Sequence, residues 1–281
     1  MPSKSSRRSP SEDRRKRSLR VICESPANLK CAKGAVSLLK EHTGSFRITV
    51  QKDAFSGIGT DDEVASALVS LRLTDAGRRE ERAIDSFALR DFEKRVLSGT
   101  SRARGVPYEG VGLMKLYQRI LPGHPSNPDE ICVVITDRLA MTWSEDDLRY
   151  HARVAVFGFP SVVSMSGLVE APARPREYYL AKQVLDPSGA GAADEVLAAQ
   201  FAGRFLEAED ERTEKVLCGY LLQCIFYACT LRPFCGNMDC VLFNAHWQEE
   251  MIRAQVTSGK LCERHRRSLE RIISGEPASW G

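Results

Sequence analysis

The sequence contains no P-loop, no G-x-G-x-x-G and no G-x-S-x-G motif, so it offers no support for the common nucleotide-binding or serine-hydrolase sites. It also lacks an apolar run long enough to cross a bilayer. The longest run, residues 216–231, has 16 residues, whereas about 20 are needed. Nothing in it resembles a secretory signal. We therefore expect a soluble protein without membrane contact.

The cysteine content argues against a disulfide scaffold. The nine cysteines are an odd number, and several lie inside apolar runs. Structural disulfides also require an oxidising compartment. We therefore expect free or metal-bound thiols in a reducing, cytoplasmic setting. With 281 residues, of which 43% are apolar, the chain can bury the core of one large or two small domains.

The basic charge is concentrated at the start of the chain. Residues 1–20 contain eight Lys or Arg and two acidic residues, a net charge of +6, and the rest of the chain is at −3. A segment rich in Ser, Arg and Pro cannot bury enough apolar surface to fold, so we expect a disordered tail. Non-specific, salt-dependent contact with nucleic acid or another anionic surface is one interpretation. A merely solubilising extension is the other.

Strand and helix patterns alternate after the tail. A strand at 19–23, a helix at 27–39 and a strand at 46–50 predict a β-α-β unit. Further predictions are a capping box at Thr60 and Glu63, helices at 84–96 and 111–121, a turn cluster at 122–128, a buried central strand at 131–135, a hairpin over 152–165 and a mainly helical remainder.

Four metal-binding side chains have ligand-like spacing near the end of the chain. Cys235 and Cys240 lie in a segment with Pro and Gly that lets the backbone curl around an ion, and Cys262 is followed by His265 at the start of a basic helix. Two such pairs predict one four-coordinate structural Zn²⁺ without an open position for water. The alternative is a set of unrelated buried thiols and a surface histidine.

Other side chains could carry chemistry, and each has a structural alternative. Cys218, Cys224 and Cys229 lie on a helix that is apolar all round, where cysteine is commonly a small hydrophobic residue with a raised pKa. His246 is either a base or an exposed helix-start histidine. Asp146, Asp147 and His151 could form an acid–base or metal cluster; alternatively, residues 144–147 are a helix N-terminus.

A further segment contains Arg174, Arg176, Glu177, Tyr178 and Tyr179. It could contact a ligand, or it could be the salt-bridged start of a helix.

Taken in order, these segments resemble the archaemetzincins. The resemblance rests on the strand end Ile135-Thr136-Asp137, on residues 156–158 and 163–164, on the buried helix that follows, and on the C-x4-C and C-x2-H pairs, over roughly residues 130–270. It is greatest to an archaeal group of metallopeptidase-like proteins of unknown function. It implies a helix with an HExxHxxGxxH motif that binds catalytic zinc, followed by a knuckle that holds a second, structural zinc.

The catalytic half of that motif is absent from this sequence. The three histidine positions are occupied by Cys224, Ala228 and Phe234, the glutamate position by Ile225 and the glycine position by Leu231. A zinc peptidase needs two imidazoles one helical turn apart and a carboxylate that takes a proton from water. In the knuckle half, His265 replaces the last cysteine and Leu242 replaces a methionine, and the spacing to Cys262 is about two residues longer.

The resemblance implies an α/β (α+β) zincin-like fold, with a mixed β-sheet, flanking helices and a C-terminal helical zinc-knuckle region. We expect a tail at 1–20 and one domain at 21–281, with a β-α-β part at 21–125 and an archaemetzincin-like part at 130–274. We expect one structural Zn²⁺ and no catalytic residues. Three functions remain open: an inactive protein that binds a peptide or protein partner along the old cleft, an active metal-dependent hydrolase using Cys224, Cys229, His246 or His151, and a nucleic-acid-associated protein acting through its tail.

Overall fold

The structure is a computed structural model that describes residues 17–52, 62–79, 81–121, 129–186, 191 and 193–276. In this part of the chain the strands are β1 Ser18–Cys23, β2 Arg47–Gln51, β3 Pro107–Glu109, β4 Glu130–Thr136, β5 Leu139–Ser144, β6 Arg149–Ala152, β7 Ala155–Val156 and β8 Ser161–Ser164. The helices are α1 Leu29–Thr43, α2 Asp62–Leu71, α3 Phe87–Leu97, α4 Gly110–Ile120, α5 Met165–Glu170, α6 Arg176–Leu185, α7 Asp194–Gln200, α8 Thr213–Thr230, α9 Gln248–Ile252 and α10 Glu263–Ile273.

The larger sheet has the strand order β2-β1-β4-β8-β7. The β1-α1-β2 unit is confirmed, because β1 and β2 are parallel and α1 connects them. Strand β4 lies parallel to β1 on its other side, and β8 lies parallel to β4. The predicted hairpin is confirmed as the antiparallel pair of β7 and β8. The sheet is therefore mixed, with helices on both faces, as predicted.

The strands β1 and β4 bury both of their faces. Leu19, Val21 and Cys23 point into a core with α1, α8 and α10, whereas Ile22 and Val134 point into a second core with α2, α3 and α4. A strand covered on both faces becomes a continuous apolar run rather than an alternating one. This explains the run at residues 131–135, whose prediction as a buried central strand is confirmed.

A smaller sheet has the strand order β3-β5-β6. Its hairpin corrects one prediction: residues 144–147 do not begin a helix but form the turn that joins β5 to β6. Ser144 Oγ accepts a hydrogen bond from the Asp147 backbone N–H at 3.3 Å. This bond has the form of a helix cap, but the segment forms a turn because the flanking strands β5 and β6 pair with each other.

Several element boundaries differ from their predictions. β1 begins at Ser18, three residues inside the predicted tail, and α1 runs from Leu29 to Thr43 instead of 27–39. Ile84 lies before α3 and is 87% exposed, because Ser86 caps that helix by accepting from the Leu89 N–H. Residues 1–16, Thr60 of the predicted capping box and the turn cluster 122–128 lie outside the described residues.

Helix α8 crosses the first core and is buried along its middle. Every residue from Val216 to Phe226 is buried, since the sheet, α1 and α10 surround it. A helix enclosed in this way is apolar all round. No helix among the described residues combines the length and apolarity that a bilayer crossing requires. α8 ends at Leu231, which adopts a left-handed backbone conformation (φ 57°).

Candidate functional site

The first two predicted ligands lie in the loop that follows α8. The Cys235 N–H donates to the Leu242 carbonyl at 2.8 Å, and the Cys240 N–H donates to the Asn237 carbonyl at 3.0 Å. The Asn237 N–H points at Cys235 Sγ, 3.3 Å away. These bonds fold residues 235–242 into a tight knuckle that directs both sulfur atoms to one side.

The other two ligands lie at the start of α10. Cys262 is the N-cap residue of this helix, and His265 follows in its first turn. A hydrogen bond of 2.8 Å from the Val241 N–H to the Lys260 carbonyl joins the two segments. The Cys262 N–H also faces Cys240 Sγ at 3.5 Å. These contacts hold the two halves against each other.

The four predicted ligand side chains converge. The ligand atoms of Cys235, Cys240, Cys262 and His265 all lie within 4.8 Å of one another. The two outer thiols, Cys235 and Cys262, have their sulfur atoms 4.0 Å apart, and His265 Nδ1 lies 3.0 Å from Cys262 Sγ and 3.9 Å from Cys240 Sγ. Tetrahedral Zn²⁺ with 2.3 Å bonds places sulfur ligands about 3.8 Å apart. The arrangement therefore fits a tetrahedral ion.

The environment of these ligands favours a bound cation. Burial, together with the neighbouring thiols, raises the pKa of Cys240 to about 12, so its thiolate needs a positive charge beside it. Burial first, and then Arg264, lower the pKa of His265, which keeps the imidazole neutral as a metal ligand requires. His265 also packs edge-on against Phe226 of α8, with ring centroids 5.4 Å apart.

The positions that align with the catalytic motif differ in their burial. Cys224 and Ile225 are fully buried in the core around α8. Phe234 is 40% exposed and belongs to an aromatic group with Phe157, whose ring centroid is 5.5 Å away. Leu231 takes the left-handed conformation that a glycine adopts most readily. These side chains do not form a set of metal ligands.

A cleft of about 560 Å³ lies beside α8, between it and the edge strand β7. The residues of α8 that line the cleft are Tyr220 and Gln223, and neither stands at a position of the HExxHxxGxxH motif. Phe234, at the third histidine position, also lines the cleft. Gln223 is 1% exposed, and its Oε1 has no hydrogen-bond partner among the described residues. The ionisable lining residues are Arg149, His151, Arg153, Glu170, Tyr179, Tyr220 and His246.

The remaining candidate residues separate into buried and surface groups. Burial raises the pKa of Cys218 and Cys224 to about 12 and raises that of Cys229, in agreement with the structural alternative. His246 is exposed just before α9, as that alternative predicts. Asp146 is exposed in the β5–β6 turn, whereas His151 Nε2 lies 2.7 Å from Asp147 Oδ2.

The segment with two arginines and two tyrosines is occupied by packing interactions. Arg174 donates to the Tyr178 hydroxyl at 2.6 Å and stacks over Phe205, 4.5 Å from the ring centroid. Glu177 pairs with Arg204 at 3.1 Å. Tyr179 also lines the cleft beside α8, whereas Arg176 begins α6. Most of this segment thus anchors α6, as the structural alternative predicts.

Comparison with known proteins identifies the family. The sequence profile of the Probable metallopeptidase family (DUF6775) matches residues 22–272. The chain belongs to this family. No curated protein sequence matches it. One similar solved structure is an archaemetzincin from Methanopyrus kandleri, with 11% identity, coverage of 92% of this chain and 96% of that chain, and a TM-score of 0.45. Another is a zinc-dependent peptidase from Methanocorpusculum labreanum, with 10% identity, coverage of 89% of this chain and 99% of that chain, and a TM-score of 0.45.

The Probable metallopeptidase family match includes β4, α8 and the whole Cys/His set in one span. The predicted relationship to a metallopeptidase-like family is confirmed. The subdivision of the domain at residues 21–125 and 130–274 stays a prediction. Sequence reasoning also missed a second cleft, which lies at the carboxyl ends of β1 and β4 and is lined by Asn28, Arg102 and Asp137.

Proposed function

We propose that this protein holds one structural Zn²⁺ and binds an extended peptide in the cleft beside α8 without hydrolysing it. The three thiols and the imidazole would bind the metal as three thiolates and one neutral nitrogen. Such a closed set stabilises the fold and leaves no coordination position for a reacting water. The metal would fasten the loop after α8 to α10.

The observation that carries the non-catalytic part of the proposal is the composition of α8. Among the described residues, one group of three or more His, Cys, Asp or Glu side chains is arranged to hold a metal, and it is the knuckle set. The face of α8 toward the cleft presents Tyr220 and Gln223. Neither side chain matches the three ligands and the carboxylate that a zinc peptidase requires.

Three features of the cleft fit an extended peptide. Strand β7 is the edge of the larger sheet, so a peptide strand can pair along it. The buried Gln223 Oε1 can accept a hydrogen bond from a peptide N–H. The exposed aromatic ring of Phe234 offers apolar surface beside the cationic Arg149 and Arg153. We therefore propose a peptide with acidic and apolar residues.

Replacement of Gln223 by Met tests this binding mode. The change keeps the size of the side chain and removes the acceptor. We expect weaker binding of a fluorescein-labelled acidic, leucine-containing peptide, measured by fluorescence anisotropy. The melting temperature should change little, because loss of an unsatisfied buried acceptor offsets loss of the 3.5 Å hydrogen bond from Gln223 Nε2 to the Phe243 carbonyl. Gln118→Met, at an exposed position of α4, is the matched control. Equal affinity in both variants would refute the proposed contact.

A second candidate function is hydrolysis by a non-standard site. It is favoured by the contact of 2.7 Å between His151 Nε2 and Asp147 Oδ2, and by the presence of His151 and His246 on one cleft. A positioned imidazole with a carboxylate partner can act as a general base. Peptide cleavage by the wild type that is lost in His151→Ala would establish this function in place of the first.

The cellular setting and the tail complete the proposal. All nine cysteines are free thiols, which supports a reducing, cytoplasmic location. Residues 1–20 would add non-specific contact with nucleic acid through their positive charge.

A further inference from the structure

The second cleft, which we call the switch-point cleft, lies where the winding direction of the larger sheet changes. From β1 the chain crosses through α1 to β2 on one side, whereas β4 pairs with β1 on the other side. All three strands are parallel, so their carboxyl ends share one edge. In open α/β sheets, ligands bind outside the carboxyl ends of the strands at such a point. The cleft has a volume of about 430 Å³.

Ion pairs hold the residues that follow β4, next to the switch-point cleft. Arg138, fully buried just after β4, pairs with Glu24 at 2.8 Å and with Glu93 at 2.5 Å. Beside it, the buried Asp137 receives two hydrogen bonds from Arg102, at 2.8 and 2.9 Å. Arg102 comes from the Gly-, Ser- and Arg-rich loop at residues 98–107. This loop is thus fixed over the strand ends as one wall of the cleft.

Asn28 contributes an unsatisfied donor to this cleft. Its side chain is 3% exposed, and Nδ2 has no hydrogen-bond partner among the described residues. Asn28 is the N-cap residue of α1, yet its side chain makes no capping bond. Burying an amide N–H without an acceptor costs free energy. A ligand with a carbonyl or carboxylate oxygen at this position would remove that cost.

The charges around the cleft restrict the ligand further. Its lining contains three cationic and six carboxylate side chains, a net charge of −3. Asp137, Glu209 and Asp210 are paired with Arg102, Arg104 and Arg212. The carboxylates that form no ion pair within the described part of the chain are Glu207, Glu211 and Glu214. Phosphate and other anions would be repelled, whereas a cation alone would leave the Asn28 donor unsatisfied.

We propose that the switch-point cleft binds a basic peptide segment, with a backbone carbonyl accepting from Asn28 Nδ2 and Lys or Arg side chains facing Glu207, Glu211 and Glu214. Such a segment supplies both the acceptor and the positive charge. The occupant is residues 1–16 of this chain, which carry six basic and two acidic residues.

Residues 1–16 are long enough to reach the switch-point cleft. β1 begins at Ser18 and ends at Cys23, beside the cleft, and it spans about 20 Å. Sixteen residues can extend over about 50 Å. Residues 1–16 are therefore long enough to pass along the domain and enter the cleft of the same molecule.

A binding experiment on full-length protein tests the site. The probe is a fluorescein-labelled peptide with the sequence of residues 1–16. Both double variants are made in a background with Arg7→Gln, Arg8→Gln, Arg14→Gln and Arg15→Gln, so that the chain's own segment does not compete with the probe. Glu207→Gln combined with Glu211→Gln should then raise the Kd of the probe about fivefold at low salt, since two exposed charge contacts are lost. The matched control, Asp146→Asn with Glu195→Gln, removes two exposed acidic charges elsewhere and should leave the Kd unchanged. Equal Kd values in the two variants would overturn the proposal.

Asn28→Ala separates a ligand contact from a structural role. We expect weaker probe binding without a fall in melting temperature, because the orphaned donor contributes nothing to the fold. Unchanged binding would also overturn the proposal. A full-length variant with Arg7→Gln, Arg8→Gln, Arg14→Gln and Arg15→Gln tests the occupant. This variant should bind the probe more tightly than the wild type does, because the chain's own segment no longer competes for the cleft. Unchanged binding would overturn the assignment to residues 1–16.

Discussion

Replacement of Cys240 by Ser should separate the metal site from an accidental cluster of thiols. Cys240 is fully buried within the knuckle, and its sulfur lies 3.9 Å from Nδ1 of His265 on α10. Serine preserves the size of the side chain but is a poor zinc ligand. We expect the wild type to contain about one Zn²⁺ per chain and the variant to lose it during dialysis against a chelator.

The magnitude of the destabilisation follows from the spacing of the ligands. A metal that joins Cys235 to His265 closes a loop of about 30 residues, and treating it as a cross-link gives about 3.6 kcal/mol of stabilisation. For a chain of this size the loss corresponds to a fall in melting temperature of about 6–10 °C. Scanning calorimetry and elemental analysis of the same samples measure both quantities.

A second buried thiol supplies the control. Cys218 on α8 is 4% exposed and is not part of the metal cluster, so Cys218→Ser should lose some stability but keep its zinc. If Cys240→Ser retained the same zinc content and melting temperature as the wild type, the cross-link argument would be wrong. If Cys218→Ser lost zinc as well, global unfolding rather than ligand loss would explain the result.

Four further outcomes are expected. His265→Cys should keep one Zn²⁺, since four thiolates also form a closed tetrahedral site; zinc loss would contradict this. Burial raises the pKa of Cys224 to about 12, so its protonated thiol favours the folded state, fully so below pH 9. The free energy of unfolding should therefore fall as the pH rises toward 12, by up to about 1.4 kcal/mol per pH unit. Cys224→Ala should reduce that slope. Ala228→His should show no chelator-sensitive casein cleavage, because the other ligands and their supporting hydrogen bonds are missing. Any nucleic-acid affinity should fall steeply with salt and disappear when the basic residues of 1–16 are replaced by Gln; salt-independent binding would place the contact elsewhere.

The predictable parts of the fold were those determined by local pattern. The β-branched run of β4 and the alternation in β2 required no knowledge of distant partners. The Cys/His set was found in the same way, because ligand spacing within each pair is itself local. Whether the two pairs meet depended on the hydrogen bond from Val241 to Lys260, which the spacing alone could not specify.

The parts that were missed depend on pairing between distant residues. The cap-like sequence at residues 144–147 forms a turn because β5 and β6 pair around it. The switch-point cleft exists because β1 and β4 are in register, with Cys23 beside Ile135. This pairing brings Asn28 and Asp137 to one edge of the sheet from far apart in the sequence. Each residue alone is an ordinary loop residue.

The environment of α8 explains why this chain would not easily accept the catalytic motif. Cys224 and Ile225 are fully buried in the first core, at the positions where the motif has its first histidine and its glutamate. An imidazole and a carboxylate there would each need a hydrogen-bond partner. Burying a polar group without a partner costs about 1–3 kcal/mol, and more if the group is charged, so the two together would cost several kcal/mol. The residues that do face the cleft, Tyr220 and Gln223, have the wrong chemistry for zinc. In this chain α8 is therefore a core helix that contacts the Cys/His set through Phe226 and His265, and its buried positions would leave such catalytic ligands without partners.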